Sequence, residues 1–192
     1  AYLYQKKEWS PYKENSFAPA LCNRIDRNTG GIVIAAKTAE GLRVMNQKIK
    51  DRELSKYYLC VVQGKMNPKE GKLEGYIFKD EVKKQVYVRK RPEPGAKTAI
   101  TLYKTLAVKN GLSLVECDLI TGRTHQLRVH CAFLGCPILG DPQYGTPESL
   151  ALSDAWGLTH QQLCACRLEL PHPVTGAPLS LRSNMTVFCP ET

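Results

Sequence analysis

Apolar and polar residues alternate along this chain with two periods, and the switches between them mark its elements. Residues 32–36, IVIAA, form an unbroken apolar run and are expected to be a buried strand. Behind it, Leu42, Met45 and Ile49 recur at helical spacing while Arg43, Lys48 and Lys50 fall elsewhere, so residues 39–51 read as a helix with Thr38 as N-cap. Residues 56–63, KYYLCVVQ, have the aromatic and β-branched content of a strand and stop at Gly64. Side chains alternate between strand faces, so Tyr57 and Tyr58 point to opposite sides and one of them alone can join a given cleft.

Residues 64–97 are rich in Gly, Pro, Lys and Glu. Within them residues 83–91, KKQVYVRKR, alternate around Val86, Tyr87 and Val88 as a basic edge strand or hairpin arm. Its charge serves phosphate contact or protection of a sheet edge equally well. Residues 99–109 and 112–121 flank Asn110-Gly111, the strongest short signal for a hairpin. From about Thr124, RTHQLRVHCAFLG reads as a helix closed by Gly135, with Leu127, Cys131 and Leu134 as its buried stripe. Arg128 stands at the edge of that stripe, where a long side chain projects from a packed helix. Residues 136–145 form a loop punctuated by Gly and Pro, and residues 146–160 a surface segment with a short helix. Residues 163–170 and 179–182 read as strands joined by a turn at 171–178. Residues 1–20 have no period and read as loop or extended chain. Strands thus outnumber two or three helices, which argues for an α+β fold on a largely antiparallel sheet.

A length of 192 residues suits one domain, 1–192, with a substantial core. Hydrophobic content of 43% with 23% charged excludes a disordered chain. The net charge of +9 favours a polyanionic partner over a neutral small molecule. None of the eight cysteines forms C-x-x-C or sits at zinc-ligand spacing, so no metal is expected. Cys60, Cys117 and Cys131 lie inside apolar patterns and read as small buried hydrophobes. With no signal-peptide pattern and no apolar run of membrane length, a reducing, cytoplasmic setting is expected. The sequence opens on Ala1 rather than a methionine, as a fragment or a processed chain does.

The candidate chemistry centres on residues 23–31, NRIDRNTGG. Asp26 stands between Arg24 and Arg27, and carboxylates held by guanidinium groups stay ionised. A positioned carboxylate on a loop before a strand serves as nucleophile or base, and equally as a structural turn residue among solvated arginines. His125 and His130, five apart with no carboxylate between them, are not a metal motif. Asp141 is a second acid or a turn-stabilising Asp.

Three segments together resemble the RluA family of pseudouridine synthases: NRIDRNTGGIVIAAKT, KYYLCVVQG and LITGRTHQLRVHCAFLGCPILGDPQYG. The late LCACRLELPHP is similar to that family's terminal strand and turn, and the match runs from about residue 22 to 182. The resemblance implies the α+β catalytic domain of that family, a mostly antiparallel mixed sheet with flanking helices and a central cleft. It places the nucleophilic Asp on Asp26, the family's Tyr on Tyr58 and the Arg that ion-pairs with the Asp on Arg128. Arg24 stands where the family has an Arg of the same loop. RNA contacts are expected from Arg24, Arg27, Arg123, His125, Lys83, Lys84, Arg89 and Lys90. The chain departs from the family at Asn23 and Cys164, where His is usual, at Ile25, where Leu is usual, and at Gly30, where Ser is usual. Neither the family's opening strand nor an S4-like RNA-binding module is present in this sequence.

The implied activity converts uridine to pseudouridine within RNA. That isomerisation changes no oxidation state and adds no water, so neither a cofactor nor a metal is called for. Ribosomal RNA of the large subunit is the family's commonest target and transfer RNA the next, and a monomer is expected. The rival readings are a catalytically silent RNA-binding module of the same fold and a hydrolytic nucleosidase using Asp26.

Overall fold

The structure, a computed structural model, describes residues 5–7, 9–12, 17–83 and 85–187. The chain begins with three two-residue strands, β1 (Ala20–Leu21), β2 (Gly30–Gly31) and β3 (Ala35–Ala36). Helix α1 (Ala39–Lys50) follows, then β4 (Ser55–Gln63), β5 (Glu70–Asp80), β6 (Gln85–Arg89), β7 (Lys97–Lys109) and β8 (Leu112–Leu119). Helices α2 (Gln126–Phe133) and α3 (Pro147–Ala155) lead to β9 (Leu163–Pro171) and β10 (Pro178–Arg182). The main sheet runs β10-β9-β4-β8-β7-β5-β6 with antiparallel neighbours, and β2 joins it in parallel alongside β9. This is the α+β architecture expected.

Local chemistry explains most of the elements. Thr38 caps α1, its Oγ1 accepting from the Gly41 N–H at 3.0 Å, and Met45 is the buried anchor of the apolar face. Asn110 and Gly111 both take positive φ, 50° and 77°, so a two-residue loop sets Lys109 opposite Leu112. The basic strand β6 lies at the sheet's edge, as its alternation predicted. The RNA contact expected from Lys84 falls outside the described residues.

Alternation along β4 sorts the core. Tyr58, Cys60 and Val62 face α2, where Leu127 and Cys131 pack on them. Val61 faces the other way, into a cluster with Leu139 and, at its margin, Leu152 and Trp156 of the α3 region. Cys60, Cys117 and Cys131 are each no more than 2% exposed, which fits small hydrophobes. No described cysteine is in a disulfide. Among the described residues no helix is long and apolar enough to cross a membrane.

Three expectations need correction, and one strand has no counterpart among them. Residues 32–36 do not form one buried strand: Gly30–Gly31 pairs with β9, Ala35–Ala36 pairs with β1, and Val33 between them is exposed. Residues 70–80, which carry no alternating apolar pattern, form an eleven-residue strand. Its inward row passes through Gly75, where a Cβ would stand 2.9 Å from Val88 Cγ1, so close packing of β6 removed the apolar signal. Helix α2 starts at Gln126 rather than near Thr124, because His125 sits in the left-handed region at φ 53°. Leu134 is 39% exposed, just past that helix, and does not extend its buried stripe.

Candidate active site

The 23–31 loop is fastened at both ends before it presents Asp26. Asn23 Oδ1 accepts from the Ile34 N–H at 2.7 Å, and the Cys22 N–H donates to the Ile34 carbonyl at 2.8 Å. A turn follows in which the Thr29 N–H donates to the Asp26 carbonyl at 3.0 Å, with Asn28 at φ 65°. Gln161 Nε2 reaches across 134 residues to the Arg27 carbonyl at 2.6 Å and also touches Thr29 Oγ1. Gly31 then pairs with Ala165 of β9. Ala165 is also the partner of Tyr58 on β4, and Tyr58 is in register with Cys117 on β8. One row across four strands therefore fixes where the loop leaves the sheet relative to the Tyr58 phenol.

A bulge shapes that row. Tyr57 pairs with Arg167 and Tyr58 with Ala165, so Cys166 is the extra residue on β9. Tyr57 goes to the opposite face, where the Arg167 guanidinium lies 3.5 Å from its ring centroid. Tyr58 takes the face with Asp26, and both line a cleft of about 610 Å³. Arg24 and Arg123 line the same cleft, and Lys56 lies on its wall with its Nζ close beside Gly122. Burial, then the charge of Asp26, pushes the Tyr58 phenol up to about 12. Burial likewise lowers Lys56.

Arg128 does not project freely and does not pair with Asp26. Its side chain is 7% exposed, and Nε and Nη2 each lie 2.7 Å from an oxygen of Asp141, itself 1% exposed. Asp141 Oδ1 also accepts from the backbone N–H groups of Gln143 and Tyr144 at 3.0 and 3.2 Å. Asp141 is therefore both the turn-stabilising residue and an ion-pair partner. Burial opposes the Arg128 charge, but the Asp141 hydrogen bonds, the Asp141 charge and then that of Asp26 outweigh it and hold Arg128 above its ordinary value. Asp26 thus lies within electrostatic reach of Arg128 without a hydrogen bond to it.

The remaining candidates divide. His125 is half-buried, with Nδ1 2.8 Å from Tyr144 Oη. The Val86 N–H donates to that oxygen, leaving the phenolic proton for His125. Burial, then Arg128, lowers the His125 pKa. Arg123 Nε donates to the Thr98 carbonyl at 3.0 Å. Arg27 is exposed on the turn and does not line the cleft. Lys83, Arg89 and Lys90 are exposed at or beside β6, away from the cleft; Arg89 lies 3.4 Å from Glu93, and Lys90 stands over Phe133.

Two residues carry more of the site than the sequence reading gave them. Gln126 bonds the Thr121 hydroxyl, the Arg123 N–H, the Ile100 carbonyl and Thr101, tying α2 to β7. Tyr144 lies under the Arg128 guanidinium, 5.0 Å from ring centroid to Cζ, while also holding His125. The one signal for Tyr144 was its place inside the Gly/Pro-punctuated loop at 136–145.

A family model described as RNA pseudouridylate synthase matches residues 1–133. The chain is 33% identical over 165 residues to ribosomal large subunit pseudouridine synthase C of Vibrio vulnificus, covering 86% of this chain and 51% of that protein. It is 36% identical over 134 residues to ribosomal large subunit pseudouridine synthase D of Borreliella burgdorferi, covering 70% of this chain and 40% of that protein. The chain thus spans about half the length of the curated relatives it matches. Among solved structures, human RNA pseudouridylate synthase domain containing 4 superposes with a TM-score of 0.71 at 26% identity, covering 87% of this chain and 71% of that one.

Proposed function

The chain belongs to the RluA-type RNA pseudouridylate synthase family, and from that premise we propose that it isomerises uridines in structured RNA with Asp26 as nucleophile. The observation that carries this reading is that Asp26 and Tyr58, 32 positions apart in the chain, line one cleft that Arg24 and Arg123 also enter.

The reaction breaks the bond between N1 of uracil and the ribose C1′, turns the base and joins C5 to C1′. The C5 proton leaves to solvent and N1 gains one, so atoms balance without an oxidant or a hydrolytic water. The Asp26 carboxylate attacks either C1′ or the base. The Tyr58 phenol, held near 12, stays protonated at neutral pH and packs against the uracil rather than taking the C5 proton. Arg128 supplies fixed positive charge behind the cleft.

The target base must leave its stack to enter, at a cost of a few kcal/mol. Phosphate contacts from Arg24 and Arg123 at the mouth offset that cost, with Arg27 and the β6 arm holding RNA further out. Large-subunit ribosomal RNA is the first substrate to test, since the relatives named above carry it in their names, and transfer RNA is the second. The same reading has a monomeric domain working in the cytoplasm.

Incubation of unmodified total RNA with the protein, followed by carbodiimide treatment and primer extension, tests the reading. New stops at discrete uridines are expected. RNA that is bound but never modified would mark a silent binding module, and free uracil in the supernatant would mark a nucleosidase.

A further inference from the structure

Arg128 is engaged on one edge only. Its Nε and Nη2 form a two-pronged contact with Asp141, and Nη2 lies 3.5 Å from Gln143 Oε1. Among the described residues no hydrogen bond engages Nη1. A guanidinium is planar, so filling the Nε–Nη2 edge directs the Nη1 donors away from Asp141. The Asp26 carboxylate likewise accepts no hydrogen bond among the described residues, although its charge acts on Arg128, Tyr58, His125 and Tyr144. The Arg128 Nη1 donors and the Asp26 carboxylate, of opposite charge, thus act on one another electrostatically, and among the described residues neither is in a hydrogen bond.

Asp141 has the means to hold the donor still. It is buried, and its Oδ1 accepts from two backbone N–H groups of its own turn, so the carboxylate is held by contacts independent of Arg128. The Tyr144 ring lies against the guanidinium from another side. We propose that Asp141 is a positioning residue: it grips one edge of Arg128 so that the opposite edge is presented to Asp26 when RNA fills the cleft. The proposal rests on the reading of Asp26 as nucleophile. Asp141 acts only through Arg128 and touches no substrate.

The test is a double-mutant cycle read in single-turnover rate on substrate RNA, with RNA affinity and thermal unfolding measured alongside. Asp141→Asn is expected to slow the reaction by about 10²-fold, the loss typical of a misplaced reacting group. RNA affinity should stay within about twofold of wild type, because the contacts with phosphate are elsewhere. Arg128→Gln is expected to lose as much or more. Arg128→Gln/Asp141→Asn is expected to run no slower than Arg128→Gln alone, since Asp141 has nothing left to position. The double variant also removes both buried charges together, which avoids stranding either one.

Losses that multiply in the double variant would overturn the proposal by showing that Asp141 acts on the fold at large. So would a wild-type rate for Asp141→Asn. If Asp141→Asn fails to fold, Asp141→Glu carries that arm: it keeps the charge but moves the carboxylate, and a wild-type rate would again count against the proposal. Asp26→Asn separates the two levels. If that variant turns over normally, the catalytic reading itself fails; if it is dead while Asp141→Asn is fully active, only the role of Asp141 is lost.

Discussion

Gly31 and Tyr58 share one partner, Ala165, which pairs in parallel with the first and antiparallel with the second. That contact sets the height of the Asp26 loop above the phenol. It also leaves no room at Gly31, where a Cβ would lie 2.2 Å from the Ala165 carbonyl oxygen at φ 109°.

Gly31→Ala is therefore expected to cost more than about 3 kcal/mol of folding stability, strain and clash together. Gly135→Asn is also left-handed but has open space around it, and should lose less than about 1 kcal/mol. Urea denaturation of both variants measures the difference. Equal, small losses would mean that β2 does not anchor the loop.

Tyr58 is expected to act through its ring. Tyr58→Leu should slow single-turnover conversion far more than Tyr58→Phe. With the phenol near 12, the pH–rate profile of Tyr58→Phe should overlay that of wild type from about pH 6 to 10. Equal losses in Phe and Leu variants would instead assign the hydroxyl a chemical role.

Arg24 lines the cleft with its side chain exposed, as a phosphate contact requires. Arg24→Ala should lower the slope of log K against log salt for RNA binding by about 0.7 to 0.9. An unchanged slope in a filter-binding titration would remove Arg24 from the interface.

His130 gives the fold an acid sensitivity separate from catalysis. Its ring is 2% exposed, and burial lowers its pKa to about 4. Gln126 donates to Thr101 Oγ1, so the Thr101 hydroxyl proton is free for His130 Nδ1, and Nε2 carries the ring proton with no partner among the described residues. A neutral buried imidazole contributes fully above its ordinary value of about 6.5. Its contribution drains away as pH falls toward 4, by about 3 kcal/mol in all. His130→Asn keeps an acceptor for Thr101 and should flatten that part of the dependence of urea midpoint on pH. A variant whose midpoint falls as steeply as wild type would place the sensitivity elsewhere.

What the sequence revealed and what it hid divide by distance along the chain. The α1 cap, the Asn110-Gly111 hairpin and the β6 edge are local, each written in a few adjacent residues. The Asp26 turn was legible for the same reason. Strand β5 was hidden because Gly75 yields its side chain to Val88 of a neighbour. The Arg128–Asp141 pair was hidden because its two residues belong to a helix and to a loop beyond it, and nothing in either segment states that the loop folds back. Resemblance located Arg128, but geometry was needed to show which carboxylate holds it.

Asp26 as the attacking group is the claim on which the rest depends. Tritium release from RNA labelled at uridine C5, measured in a single turnover for wild type and Asp26→Asn, tests it most directly. The wild-type protein should release tritium in step with pseudouridine formation. Asp26→Asn should release none while binding the same RNA with undiminished affinity. Full release by Asp26→Asn would contradict the account.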